Sequence, residues 1–188
     1  MRTNGRNSIA RSSECSNRGP LLSLVILLCG TGLICSAQSY AMESTSAPIP
    51  IAVLDLDYLD TSGEMRDQRV EHQRRLRHFT EALQSDLAQS GKYRIVIMEC
   101  RPAPCSAAAS ELSELIALAR QAGAKMLLIG GIQKMSTLVQ WVKVQTIDIE
   151  ANRMVLDKLL TFRGDTHEAW QHAEAFVARE IIAIDTAQ

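Results

Sequence analysis

The chain has 188 residues, of which 46% are hydrophobic and 22% charged, enough apolar residue for one buried core and far from the composition of a disordered chain. Four arginines and one glutamate precede Met42, so residues 42–188 carry a net charge near −4. That balance excludes broad nucleic-acid binding, which needs clustered positive charge to displace counterions from phosphates.

At the N-terminus, Arg2, Arg6, Arg11 and Arg18 precede an apolar run from Leu21 to Cys35, and Ser39-Tyr40-Ala41 follows. Basic, apolar, then small is the order of a secretory signal. The run contains Gly30 and Gly32 and falls short of the about 20 residues that a spanning helix needs. Residues 1–41 are therefore expected to be a signal segment, cleaved after Ala41 or Ala37; the alternative is an uncleaved N-terminal anchor, the one contact with a membrane. Either reading makes the remainder periplasmic. Cys29 follows Leu28 and Cys35 follows Ile34, whereas a lipoprotein signal wants a small residue there. Residues 42–50 read as a Ser/Thr/Pro linker and 51–186 as a single α/β domain.

Ile51-Ala52-Val53-Leu54 predicts a buried strand running on to Asp60, with a turn at Thr61-Ser62-Gly63. Neither proline nor glycine interrupts Glu64 to Ser90, and Leu76, Phe79, Leu83 and Leu87 recur at helical spacing until Gly91. A second strand, Tyr93–Met98, and a second helix around Leu112, Leu115, Ile116 and Ala119 follow. Met126–Ile129 is a continuous apolar run, the mark of a strand covered on both faces. Val142 and Val144, then Ile147 and Ile149, alternate with polar residues across an even-to-odd shift that suggests a bulge near Thr146. Met154–Phe162 reads as a returning strand. Asp165 with Glu168 is a helix-start signature, and Trp170, Ala173, Val177, Ile181 and Ile184 form the buried stripe of a last helix. The predicted architecture is one mixed sheet, β-α-β-α-β-β-β-α, with strand order 2-1-3-4-5.

Val53-Leu54-Asp55 with Leu59-Asp60-Thr61-Ser62, Gly131-Ile132-Gln133-Lys134-Met135-Ser136, and Arg163-Gly164-Asp165-Thr166 with Trp170 make the chain resemble a family of uncharacterised exported proteobacterial proteins, catalogued as a domain of unknown function. The resemblance implies export and an α/β fold and names no substrate. The element order is also similar to the N-terminal module of the Tol-system β-propeller protein and to outer-membrane activators of cell-wall synthases, modules that bind proteins and are not enzymes. Members of the family tend to place a cysteine pair after the second strand; the spacing here is wider.

Cys100 and Cys105 are the two cysteines outside residues 1–41, and in an oxidising compartment they are expected to form a disulfide that pins the loop after the second strand. A redox pair would more usually be Cys-x-x-Cys at a helix start, and two cysteines alone lack ligands for a metal. His167 and His172 are five apart, and His72 and His78 six apart; both spacings spread the rings over different helix faces, so all four histidines read as surface residues. Asp55-x-Asp57 after an apolar strand is similar to the aspartate pair of phosphate-transferring haloacid-dehalogenase-like enzymes. However, Leu59 stands where that motif wants Thr or Val. The aspartates read as polar residues at a strand end. Arg66, Arg69, Arg74, Arg75 and Arg77 are offset by Glu64, Asp67 and Glu71 and read as a solvated helix face. Trp170 reads as core.

No catalytic set, cofactor or metal site emerges. The expectation is a non-enzymatic exported accessory module that binds an envelope protein. The alternative is a small-ligand binder or enzyme at the strand-order switch, where Asp60, Thr61, Lys134 and Ser136 would converge. Its bland counterpart is a surface ion pair of Lys134 with Asp60 beside turn residues Thr61 and Ser62.

Overall fold

The computed structural model describes residues 47–101 and 103–185. The signal segment expected at 1–41 and the start of the expected linker lie outside the described residues. In chain order the elements are β1 (Ile49–Val53), β2 (Asp57–Asp60), α1 (Arg69–Gln89), β3 (Tyr93–Val96), α2 (Leu112–Gln121), β4 (Met126–Lys134), β5 (Val139–Asp148), β6 (Arg153–Arg163) and α3 (His167–Ile182). One sheet runs β3-β1-β4-β5-β6, with β2 also paired to β4. The pairs β1–β3, β1–β4 and β2–β4 are parallel, and β4-β5-β6 is the expected antiparallel meander. The predicted class holds, and the order differs in that the first strand is two.

The division follows from one extra residue. Val53 lies opposite Leu128 and Asp57 opposite Gly131, so Leu54, Asp55 and Leu56 span what only Ile129 and Gly130 span in β4. An inserted residue reverses the alternation of a strand. Ile51 faces one core and Ala52 and Leu54 the other, and then Leu56 and Tyr58 return to the face of Ile51. Gly130 accommodates the step: a Cβ there would sit 2.4 Å from the Lys143 carbonyl oxygen and 3.3 Å from the Leu56 side chain.

Two cores result. On one face α1 supplies Phe79, Leu83 and Leu87, and α3 supplies Trp170, Ala173, Val177 and Ile181. On the other face α2 packs Leu115 and Ala119 against Leu127, Ile129 and Ile147. Gly91, at φ +70°, turns the chain after α1 in the left-handed region that favours glycine. The shift near Thr146 has a different origin from the one its pattern suggests. A bulge is present, but the register places Ile147 opposite Met154 and Thr146 opposite Leu156, so the extra residue is Val155 in β6. In β5 the apolar side chains change parity because the covered face changes: Val142 and Val144 lie beneath α1 and α3, and Ile147 and Ile149 lie on the α2 side.

Candidate functional site

The four residues expected to converge are neighbours in the backbone and diverge in their side chains. Asp60 lies opposite Lys134 in the β2–β4 register, but its carboxylate turns outward and accepts from Ser62 N and Oγ at 2.9 and 2.6 Å. Thr61 donates its N–H and its Oγ1 hydroxyl to the Lys134 carbonyl, at 2.9 and 3.0 Å. Ser136 Oγ accepts from the Leu138 and Val139 amides at 3.3 and 3.1 Å, shaping the β4–β5 turn. Asp60, Thr61 and Ser136 are thus turn formers. Lys134 goes the other way.

Lys134 occupies an even position of β4, in phase with Met126, Leu128 and Ile132, so its side chain enters the interior beneath α1 and α3. It is 1% exposed, and Nζ donates to Glu64 Oε2 at 2.9 Å, Asp165 Oδ2 at 2.8 Å and Gln68 Oε1 at 3.3 Å. The surface ion pair with Asp60 does not form. An ammonium removed from water needs bonded counter-charges, and two carboxylates supply them here.

Asp165 is the hub of this cluster. Its Oδ2 also faces His72 Nε2 at 2.8 Å, and Oδ1 accepts from Arg75 at 2.6 Å and Gln140 Nε2 at 3.3 Å. An ionised carboxylate only accepts, so Nε2 of His72 carries the proton in this pair. Arg75 extends the cluster to Glu71. Burial pulls the Asp165 pKa up, but Lys134 and His72 outweigh it and hold the carboxyl below its ordinary range. Burial likewise pulls the Lys134 pKa down, and Asp165 and Glu64 raise it above its usual value. Hydrogen bonds from Thr137 and Lys134 lower Glu64. Above His72 the rings of Tyr58 and Trp170 close the cluster, at centroid distances of 4.8 and 6.3 Å. Burial first, then Asp60 and Asp165, push the Tyr58 phenol upward, so it remains neutral.

Three expectations are corrected here. His72 is buried at 1% exposure, because Asp165 satisfies its ring nitrogen. Asp165 does not cap α3: Thr166 is the N-cap and accepts from Ala169 N at 3.2 Å. Arg75 leaves the solvated arginine face for the cluster, whereas Arg69 pairs with Asp67 on the surface as expected. Trp170 is core, as read. Glu64, Gln68, His72, Arg75, Gln140 and Asp165 escaped the sequence reading. A signal existed in the periodicity: His72 is in helical phase with Leu76, Phe79 and Leu83, and Gln140 in strand phase with Val142 and Val144.

Cys100 and Cys105 are bonded, with Cα atoms 5.3 Å apart. The closed loop is fastened to the break between β1 and β2. Asp55 N donates to the Cys105 carbonyl at 2.8 Å, Cys105 N to Asp55 Oδ2 at 3.1 Å and Ala108 N to Asp57 Oδ2 at 3.0 Å. Both aspartates are therefore anchors for this loop. Among the described residues no three or more of His, Cys, Asp and Glu gather as a metal would need, and no helix is long and apolar enough to cross a membrane.

Fold and site define a mixed-sheet α/β module with a largely buried ionic cluster under the ends of β2 and β4, whose Arg75 and Asp165 also line a surface cavity with Glu71. Residues 50–182 match the family DUF3280, described as a protein of unknown function (DUF2380), and the chain belongs to that family. No curated protein sequence matches it. Among solved structures it is similar to the C-terminal domain of LpoB from Salmonella enterica, at 16% identity and TM-score 0.43 over 63% of this chain and 85% of that one. It is similar also to the hypothetical protein CT253 from Chlamydia trachomatis, at 13% identity and TM-score 0.49 over 76% of this chain and all of that one. For TolB from Acinetobacter baumannii the values are 17% and 0.46, over 71% of this chain and 27% of that one.

Proposed function

We propose that the protein is an exported, non-catalytic accessory module of the cell envelope that acts by binding a protein partner. The observation that carries this reading is the end of the sheet where β2 and β4 finish. Leu59, Met65 and Leu138 stand exposed there, Leu138 at 66%. The turns beside Leu59 and Leu138 are held by the Asp60–Ser62, Thr61–Lys134 and Ser136–Val139 bonds, and the Glu64 side chain, next to Met65 in the chain, is held by Lys134. Apolar side chains on tethered turns lose little freedom on binding and gain from leaving water. Asp60, Thr61 and Ser136 would form the polar rim of such an interface.

A photo-crosslinker at Leu138 or Met65 of the full chain, expressed in a Gram-negative envelope, tests the reading. One discrete adduct, lost on Leu59→Asp and not produced from a probe at Ile97, is expected. No adduct from either position would overturn it, and a co-purifying small molecule lost on the same substitution would favour a ligand site instead. Export is tested by intact mass: the mature chain should begin near Met42, and retention of residues 1–41 would mean an anchor.

A further inference from the structure

We infer that two copies of this chain pair through antiparallel β6 strands, about a twofold axis passing beside Leu160. β6 is the last strand of the sheet order, and its outer edge has no strand partner among the described residues. From Leu156 to Arg163 it pairs with β5 without irregularity, so its outer amides and carbonyls form a regular template. Lys158, the kind of charge that most protects such edges, is paired with Glu180 of α3 at 3.0 Å, which offsets its charge on the α3 side of the strand.

Beside this edge lies an apolar groove of about 340 Å³, lined by Leu160, Phe162, Ala173 and Phe176 and bordered by Arg163 of the strand end. Phe176 is 41% exposed, with the Arg179 guanidinium 5.4 Å from its ring centre. A twofold normal to the sheet brings two such grooves face to face, with α3 of each copy on the same side. Phe176 and Phe162 of both copies then leave water together.

The charges select the occupant and the register. With Leu160 opposite itself, Asp157 of each copy faces Arg163 of the other, on the same face of the joined sheet, and Leu159 faces Thr161. Arg163 has no ion pair within its own chain among the described residues, whereas Asp157 is bonded on its inner side by Lys143 and Gln145 of β5, so that the partner copy's Arg163 would join an existing surface pair. An axis through Lys158 would oppose Lys158 to itself and Arg153 to Arg163, and one through Asp157 would oppose two carboxylates, so neither alternative is favoured. Axes at Leu159 or Thr161 form no Asp157–Arg163 pair.

The test is sedimentation equilibrium of the full chain, purified as cells process it, in one density-matched mild detergent. A dimer is expected; Asp157→Arg or Arg163→Asp alone should weaken it by about tenfold or more, and the two together should restore it to within about threefold. Both side chains are exposed, and the Lys143 pair that Asp157→Arg removes is a surface pair, which contributes little to stability, so melting curves should stay within a few degrees of the parent. Independently, Leu160→Cys should yield a covalent dimer under mild oxidation, because a residue on the axis meets its own copy within disulfide reach. A monomer up to about 100 µM, a dimer indifferent to both reversals, or no covalent dimer from Leu160→Cys would each overturn the inference; about 100 µM already admits weak interfaces.

Discussion

Helix α1 covers two kinds of interior. Its first half, through His72 and Arg75, roofs an ionic cluster in which Lys134 and Asp165 are bonded to opposite charges. Its second half, through Phe79, Leu83 and Leu87, roofs an apolar core, and Glu174 of α3 lies beside Phe79 and Ala82 of that half. Glu174 is 5% exposed with Oε1 unpartnered, and burial, with Asp86 adding to it, pushes its carboxyl up to about 7. Asp165 is buried as well, yet its carboxyl is held down. Desolvation acts in the same direction on both, so partners decide the sign. A buried acid among cations stays ionised; one against hydrocarbon takes up a proton.

The contrast breaks most visibly at Lys134. Lys134→Ala leaves Asp165 with His72, Arg75 and Gln140 but takes the ammonium from both Asp165 and Glu64, and should cost about 3 kcal/mol, the low end for breaking a buried pair because Asp165 keeps its other partners. Thermal and urea unfolding would measure it. A melting temperature equal to the parent's would mean that the cluster contributes nothing.

Glu174→Gln should do the opposite at alkaline pH. The raised carboxyl stabilises fully only below the ordinary carboxylate pKa and loses that contribution as pH rises through about 7. The substitution should therefore stabilise by about 2 kcal/mol at pH 8 and by almost nothing at pH 4. Asp165 has the reverse dependence, because its lowered pKa contributes stability above the ordinary carboxylate range that is lost as pH falls through the folded value. Urea unfolding across pH 3–9 separates the two; equal gains for Glu174→Gln at both ends would contradict the assignment.

Smaller effects are expected at the two loop ends. Reducing Cys100–Cys105 frees a ring of only six residues and should cost about 2 kcal/mol or less, since Asp55 and Asp57 still anchor the loop. Calorimetry with and without reductant reads this directly. Asp60→Ala removes a turn bond to Ser62 on the surface and should cost under about 1 kcal/mol. A larger loss would mean that Asp60 has a part in the cluster after all.

Elements with a strong period were legible. The helical recurrence of Leu76, Phe79, Leu83 and Leu87, the apolar run Met126–Ile129 and the stripe from Trp170 to Ile181 each point to one structure, because burial repeats at 3.6 or 2 residues. The Cys100–Cys105 pair was legible too, since these are the two cysteines outside residues 1–41 and lie close together in sequence. The cluster was not. Lys134 and Gln140 sit in phase with inward apolar residues, but a period says only where a side chain points, not whether a counter-charge awaits it there. Glu64 and Asp165 lie 70 and 31 positions from Lys134, and only the return of the chain through β4 and β6 brings them together.

The break of the first strand belongs to the same class. Nothing in Val53-Leu54-Asp55-Leu56 marks an inserted residue, because the insertion exists only relative to Ile129 and Gly130 in the neighbouring strand. Likewise the parity change across Thr146 was visible as pattern, while its cause, cover by α1 and α3 on one face and by α2 on the other, is a property of how layers stack. By itself the sequence determined, apart from the break in the first strand, which segments are strands and helices and which faces are apolar, since these follow from local spacing and hydration. Tertiary structure alone decided which charges would be buried: the pairing of Lys134 with Asp165 depends on distances between segments that no local spacing encodes.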